Sequence, residues 1–385
     1  MTILKWGMIG GGEGSQIGPA HRMATSVDGL FQFAAGALDV DPARGREFGQ
    51  RLGLSKDRAY GDWKEMLAGE KSHPDRIDLV TVATPNSTHY EITKAFLEAG
   101  IAVLCEKPMT VTVDEAEDIA ATAKRTKTIC AVNYGYSGYP LVREMRAMIK
   151  RGDLGKIRLI RTEFAHGFHA DAADANNPRV RWRYDPAQAG ISAQFADCGI
   201  HALHLASFVS GQDAKELSAS FASLLTERTL EDDAWVSIRM DGGALVRLWT
   251  SSVAVGRMHG FNIEVFGEKG GLRWAQESPN QMFFTPLNGR TQIVERGGAG
   301  QSPEAARATR ITIGHPEGFT TAISNIYADL AEVISAKKAG RQPDSLALSY
   351  PTAVDGLRSI AAISAAVKSN NDGGRWLDAR PTSLR

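Results

Sequence analysis

Over the first third of the chain, short apolar runs alternate with helix-compatible segments, and that alternation leaves few folds open. The runs cover residues 4–9, 31–38, 77–84, 102–105 and 128–132. Between them, residues 42–52, 88–99 and 113–124 carry helical patterning. Short β-branched runs separated by helices imply a parallel sheet wrapped by helices. The first run ends in Gly10-Gly11-Gly12. A glycine at the end of a first strand permits a tight turn, and a second lets backbone approach a pyrophosphate at the following helix N-terminus.

After about Tyr139 the pattern changes. Residues 141–150 read as a helix and 157–165 as a strand, followed by a polar stretch over 171–186. A helix is expected over 191–209. Strands then follow one another at 217–226, 234–240, 244–252, 261–266 and 281–286, with helices over 319–336 and 352–367 closing the chain. Consecutive strands without intervening helices predict an open, mostly antiparallel or mixed sheet. The fold class is therefore α/β: a dinucleotide-binding domain over residues 1–138, then an α/β domain over 139–385. A length of 385 residues suits two domains.

Lysine plus arginine and aspartate plus glutamate balance at 44 each, so no net field favours nucleic acid or an anionic membrane. No apolar run approaches the roughly 18 residues that span a bilayer. Met1 to Lys5 lead straight into a strand-like run with no export pattern. Cys105, Cys130 and Cys198 form no CxxC pair and no disulfide framework. A reducing cytoplasm is the expected setting.

The glycine turn departs from G-x-G-x-x-G, because position 15 holds Ser15. Gly10 and Gly12 fit the first two places. Gly18 is the expected helix-packing glycine, with residues 13–17 lengthening the turn. A plain structural turn is the alternative. The second run leads into Leu38-Asp39-Val40-Asp41. An acid there accepts the adenosine ribose hydroxyls and repels a 2′-phosphate, so Asp39 favours NAD over NADP. Arg44 stands close enough to complicate that preference.

The third run leads into Thr84-Pro85-Asn86-Ser87-Thr88-His89. Ligands sit beyond the carboxyl ends of parallel strands, so Thr84 and Asn86 are cofactor candidates. Asn86 or Ser87 is equally a helix N-cap candidate. The fourth run ends at Glu106-Lys107-Pro108. A lysine there can hydrogen-bond a substrate hydroxyl and favour a developing alkoxide. Farther on, Asp197 and His201 are four apart, which puts them on one helix face. His201 is then a candidate base and Asp197 its orienting partner. His204 raises the possibility of a metal, but no open-site partner accompanies the pair, and no metal is expected. His166 and His169 are either substrate contacts or structural.

Gly10/Gly12, Thr84-Pro85-Asn86 with His89, Glu106-Lys107-Pro108 and Asp197-x-Gly199-x-His201 occur in one order and spacing. Together they resemble the glucose–fructose oxidoreductase / inositol dehydrogenase (Gfo/Idh/MocA) family over nearly the whole chain. The resemblance implies an NAD-dependent oxidoreductase with an N-terminal Rossmann domain and a C-terminal domain built on a large open sheet. It implies Lys107, Asp197 and His201 as catalytic positions, and His89 and Glu106 beside the cofactor. A sugar or cyclic polyol is the implied substrate, and a homodimer or homotetramer the implied assembly.

Gly135-Tyr136 stands where many members carry an arginine, and Gly190-Ile191-Ser192 replaces a more glycine-rich run. Trp182-Arg183 and Gly314-His315-Pro316-Glu317-Gly318 are similar to the branch containing levoglucosan and some inositol dehydrogenases. That similarity makes Tyr134, His166, Arg183 and His315 substrate-binding candidates; a turn before the helix is the alternative for His315. Two competing functions follow. One is an NAD-dependent glycosidase acting by transient oxidation, elimination, hydration and re-reduction. The other is a non-catalytic dinucleotide-binding regulator.

Overall fold

The computed structural model describes residues 3–226 and 228–385. The first unit begins with β1 (Leu4–Gly10), α1 (Ile17–Ser26), β2 (Phe31–Ala37), α2 (Pro42–Arg51) and α3 (Trp63–Ser72). It continues with β3 (Leu79–Ala83), α4 (His89–Glu98), β4 (Ala102–Cys105), α5 (Val113–Thr126) and β5 (Cys130–Val132). The five strands form one parallel sheet in the order β2-β1-β3-β4-β5. A single parallel bridge from Gly36 to Ala59 extends it beyond β2. That bridge is where a doubly wound dinucleotide fold carries a further strand, here reduced to one residue pair. The strand order reverses between β1 and β3.

Local chemistry explains the helix starts. Asp41 caps α2 by accepting from the backbone N–H groups of Ala43 and Arg44, and Pro42 follows at the first helical position. Asp62 caps α3 by accepting from the Glu65 N–H. That helix was not anticipated, although Asp62 with Glu65 three residues later has the spacing of a capping box.

In the second unit, α6 (Pro140–Arg151) ends at Gly152, whose left-handed backbone closes the helix. Next come β6 (Ile157–Ala165), the π-helical turn Phe195–Gly199 and α7 (Ile200–Ser210). The expected helix over 191–209 thus starts later and with a wider turn. The strands β7 (Ala214–Ala222), β8 (Asp233–Met240), β9 (Leu245–Ser251), β10 (Phe261–Gly267), β11 (Gly270–Ala275), β12 (Gln281–Pro286) and β13 (Gln292–Glu295) follow. After them come α8 (Phe319–Lys338), α9 (Ala353–Asn371) and β14 (Leu377–Asp378).

The second sheet has nine strands in the order β13-β12-β11-β10-β6-β9-β8-β7-β14. Only β6 and β9 pair in parallel; every other neighbour is antiparallel. Alternation sorts its faces. Along β8, Ala234, Val236, Ile238 and Met240 are buried while Trp235 and Arg239 are exposed. α7 packs against β6, β9 and β10.

Phe319–Gly356 joins the residues before Tyr139 in the first compact unit, while Val111–Val113 and Leu357–Arg385 join the second. The reason is apolar spacing. Ile323, Ile326, Tyr327, Leu330 and Ile334 line one face of α8 and join Leu4, Trp6, Met8, Leu79 and Leu104 in a single core cluster.

Candidate functional site

In the first unit, the glycine turn is set by backbone meeting backbone. A Cβ on Gly10, Gly12 or Gly18 would lie 2.3, 2.1 or 2.0 Å from the carbonyl oxygens of Ala83, Leu38 and Gly11 respectively. No side chain larger than hydrogen fits these three places. Gly18 thus packs α1 onto the turn from the position left by the insertion, and its N–H donates to Ser15 Oγ at 3.1 Å. Gly14, by contrast, has a φ of +79° and open space where a Cβ would be.

Asp39 lies just past β2 and accepts from the Asp41 N–H and from Arg44 Nη2, each at 2.9 Å. The Asp41 N–H is the largest influence holding its carboxyl below the ordinary range, so Asp39 is an anion. Asp41 instead spends its carboxylate on capping α2. An anionic acid beside a glycine turn and a helix N-terminus is a donor and acceptor set that fits NAD.

Thr84 Oγ1 accepts from Thr88 Oγ1 at 2.7 Å. Neither Asn86 nor Ser87 caps the next helix: residues Asn86–Thr88 form a 3-10 turn, and α4 starts at His89. His89 is fully buried, with Nδ1 2.8 Å from the Pro108 carbonyl and Nε2 2.9 Å from the Thr84 carbonyl. It is a strut between the turns after β3 and β4. Burial is the largest influence on its ring and lowers its pKa.

Glu106 sits directly after β4 and is also buried. Its Oε1 accepts from His21 Nε2 at 2.9 Å and from Asn133 Nδ2 at 2.5 Å, and Oε2 accepts from the Lys107 N–H at 3.2 Å. Burial opposes its charge, but the His21 and Asn133 bonds and the Lys107 charge outweigh burial and hold the carboxyl below the ordinary range. Lys107 is therefore presented by a turn anchored on both sides; its bond to Pro108 is cis. Tyr134 is buried just past β5 in the same unit.

In the second unit, the π-helical turn carries Asp197, and His201 follows in the first turn of α7. Such turns are frequent at functional sites. Asp197 Oδ2 accepts from Arg183 Nε at 3.3 Å, and the Arg183 guanidinium lies over the Trp182 ring. The His201 ring, nearly buried, stands beside Phe164. Cys198 Sγ is 3.6 Å from His166 Nε2. Burial, ahead of repulsion from His169, pushes the His166 pKa down to about 4. His169 Nδ1 is 3.3 Å from the Tyr184 hydroxyl, which is 2.7 Å from Ser252 Oγ. Asp197, Arg183, His166 and His169 are thus one electrostatic cluster. His315 is exposed on a separate loop, whose carbonyls at 311, 312 and 315 accept from the Arg296 guanidinium.

Residues 4–134 match the oxidoreductase family with an NAD-binding Rossmann fold, and residues 142–273 match the GFO/IDH/MocA C-terminal domain. The chain belongs to the GFO/IDH/MocA oxidoreductase family. Its first unit is accordingly the family's NAD-binding Rossmann domain. An inositol dehydrogenase homolog from Azotobacter vinelandii, solved with NAD+, is 40% identical with a TM-score of 0.93, covering 98% of this chain and 97% of that one. An inositol dehydrogenase homolog from Azotobacter vinelandii solved with NADH and myo-inositol is 40% identical with a TM-score of 0.90 over 98% of each chain. An uncharacterized oxidoreductase of Bacillus subtilis is 37% identical over 97% of this chain and 96% of its own length. Levoglucosan dehydrogenase of Pseudarthrobacter phenanthrenivorans is 26% identical over 73% of this chain and 76% of its own.

His21 and Asn133 bond Glu106 directly, and Tyr327 reaches it through the His21 ring. His21 alone left a signal, three residues after Gly18 on the helix that follows the glycine turn. Asn133 and Tyr327 gain their meaning only from the fold.

Proposed function

We propose that this GFO/IDH/MocA oxidoreductase transfers a hydride between NAD and a carbinol carbon of a cyclic polyol, sugar or sugar derivative. The observation that carries this reading is the place of Lys107. It follows Glu106 past the carboxyl end of the parallel strand β4 in an NAD-binding domain, on a turn that Glu106 and His89 anchor. The 40% identical relative solved with NADH and myo-inositol supports the substrate class.

Gly10, Gly12 and Gly18 shape the turn that receives the pyrophosphate, and Asp39 binds the adenosine ribose; Thr84 and Asn86 border the cofactor from the end of β3. When bound, NAD supplies the hydride acceptor. In the oxidative direction, His201 takes the proton from the reacting hydroxyl. The Lys107 ammonium favours negative charge on that oxygen as its proton leaves. Asp197, itself bonded to Arg183, orients the histidine. Tyr134, His166, Arg183 and His315 bind the remaining hydroxyls. With a pKa near 4, His166 is neutral at pH 7, a hydrogen-bonding group rather than a strong base. The glycosidase alternative requires a further base from Tyr134, His166 or His169, and burial lowers the pKa of both histidines, which makes each a poor one. A cytoplasmic homodimer or homotetramer is the accompanying expectation.

The test is a panel of polyols, aldoses, anhydrosugars and glycosides, followed by NADH absorbance and by aglycone release. Net NADH with a cyclic polyol or sugar is the expected result; aglycone release without NADH overturns it. Lys107→Ala loses roughly 10²–10⁴-fold in kcat while still binding NAD.

A further inference from the structure

A chain of hydrogen bonds runs through the interior of the first unit and ends on Glu106. Trp6 Nε1 on β1 donates to Thr81 Oγ1 on β3 at 2.9 Å. Thr81 Oγ1 is 2.7 Å from the Tyr327 hydroxyl on α8, which is 2.8 Å from His21 Nδ1 on α1. His21 Nε2 then meets Glu106 Oε1 at 2.9 Å. An indole N–H only donates and a carboxylate only accepts, so the chemistry of both ends is fixed. The side chains from Trp6 to His21 are buried.

An ordinary apolar core would be cheaper than this arrangement. Burying polar groups is costly unless each is bonded, and a half-satisfied network is worse than none. The chain links four secondary-structure elements to the carboxylate next to Lys107, and one of them is the helix that follows the glycine turn. It explains why α8, far along the sequence, presents a tyrosine rather than another leucine to the sheet.

We propose that His21 and Tyr327 are positioning residues, which through Glu106 fix the place of the Lys107 turn and keep a negative charge beside the Lys107 ammonium. This inference rests on the reading of Lys107 as the group acting on the reacting oxygen. The charged or titratable groups acting on Glu106 are His21 from α1, Lys107 and Cys105 from its own strand end, His89 from α4 and Tyr327 from α8. Of these, Lys107 is the cation that the proposed chemistry uses, and its charge acts on Glu106. An anion and a cation each favour the other's charged form. Loss of the Glu106 charge therefore makes Lys107 easier to deprotonate.

The experiment measures kcat against pH, together with NAD affinity, for the full-length protein and its Glu106→Gln, Tyr327→Phe, His21→Gln and His21→Leu variants. Glu106→Gln is expected to move the alkaline limb of kcat down by about one pH unit, with kcat at neutral pH reduced about tenfold and NAD affinity within about threefold. Tyr327→Phe is expected to give a smaller shift in the same direction. His21→Gln, whose amide can still donate to Glu106, is expected to retain more turnover than His21→Leu. A uniform fall in kcat with an unmoved alkaline limb, or a loss confined to NAD affinity, overturns the inference. Should Glu106→Gln fail to fold, Tyr327→Phe and His21→Leu give the same readout. Lys107→Ala separates the two levels. If it keeps full turnover, the reading of Lys107 falls. If it loses turnover while Glu106→Gln keeps the wild-type pH profile, only the positioning role falls.

Discussion

Asp39 shows how one side chain can serve two masters. Its carboxylate already accepts from the Asp41 N–H and Arg44, and Arg44 is largely exposed, so this ion pair contributes little to stability. On the proposed reading of Asp39 as the ribose-binding acid, removing the carboxylate frees the Arg44 guanidinium to meet a 2′-phosphate. Asp39→Ala is expected to lower kcat/KM with NAD about 10- to 100-fold, matching ~1.5–3 kcal/mol for bonds to a charged group, and to raise relative use of NADP. Unchanged cofactor preference in steady-state kinetics would remove Asp39 from the cofactor site. His166 gives a pH prediction of known sign. Burial lowers its folded pKa to about 4 from an ordinary 6.5. The folded state therefore favours the neutral ring. That contribution is complete above pH 6.5 and is lost as pH falls from 6.5 through 4, on the order of 3 kcal/mol. Burial lowers the His169 and His259 values too, with the same sign. Urea midpoints between pH 7 and 4 should fall less steeply in His166→Asn than in the parent.

Elements are fixed to one another by a few buried polar nodes. Glu70 near the end of α3 accepts from Arg58 Nε and Nη2, the Tyr60 hydroxyl and the Ile77 N–H, with no exposed surface. It ties α3 to the segment that makes the lone bridge to β2 and to the entry of β3. Glu70→Ala leaves a buried guanidinium uncompensated and should cost ~3–5 kcal/mol, read from denaturant unfolding. A loss below 1 kcal/mol would mean that Arg58 finds water. The second sheet depends on alternation instead. β11 went unanticipated because Gly270-Gly271 obscure its start, although Leu272 and Trp274 are buried on either side of exposed Arg273.

At the scale of the whole molecule, the dinucleotide-binding unit takes part of its core from residues 319–356, so chain order and domain membership differ. A truncation at Gly138 would expose the sheet face that α8 covers. Ligand linkage acts on the same unit. At a concentration of 100 times its Kd, NAD should stabilise the folded protein by ~2.7 kcal/mol and raise the thermal midpoint. On the proposed reading of Asp39 as the ribose-binding acid, NADP at the same concentration should raise it less. Equal shifts in calorimetry would remove the electrostatic argument for NAD. Among the described residues, no helix is long and apolar enough to cross a membrane.

The sequence alone determined the features that are local in the chain. Strand–helix alternation, the glycine turn with Asp39 after β2, the Glu-Lys-Pro turn and the run of later strands each depend on residues within a few positions of one another. Backbone geometry and periodicity act over that range. Tertiary structure decided everything that needed a distant partner. It decided that Arg183 reaches Asp197, and that α8 returns to the first sheet. It also decided that Glu106 answers to a histidine 85 positions before it and, through that ring, to Tyr327. A buried hydrogen bond costs free energy when unmade and carries no periodicity in sequence, so its partners become visible only when the chain has folded around them.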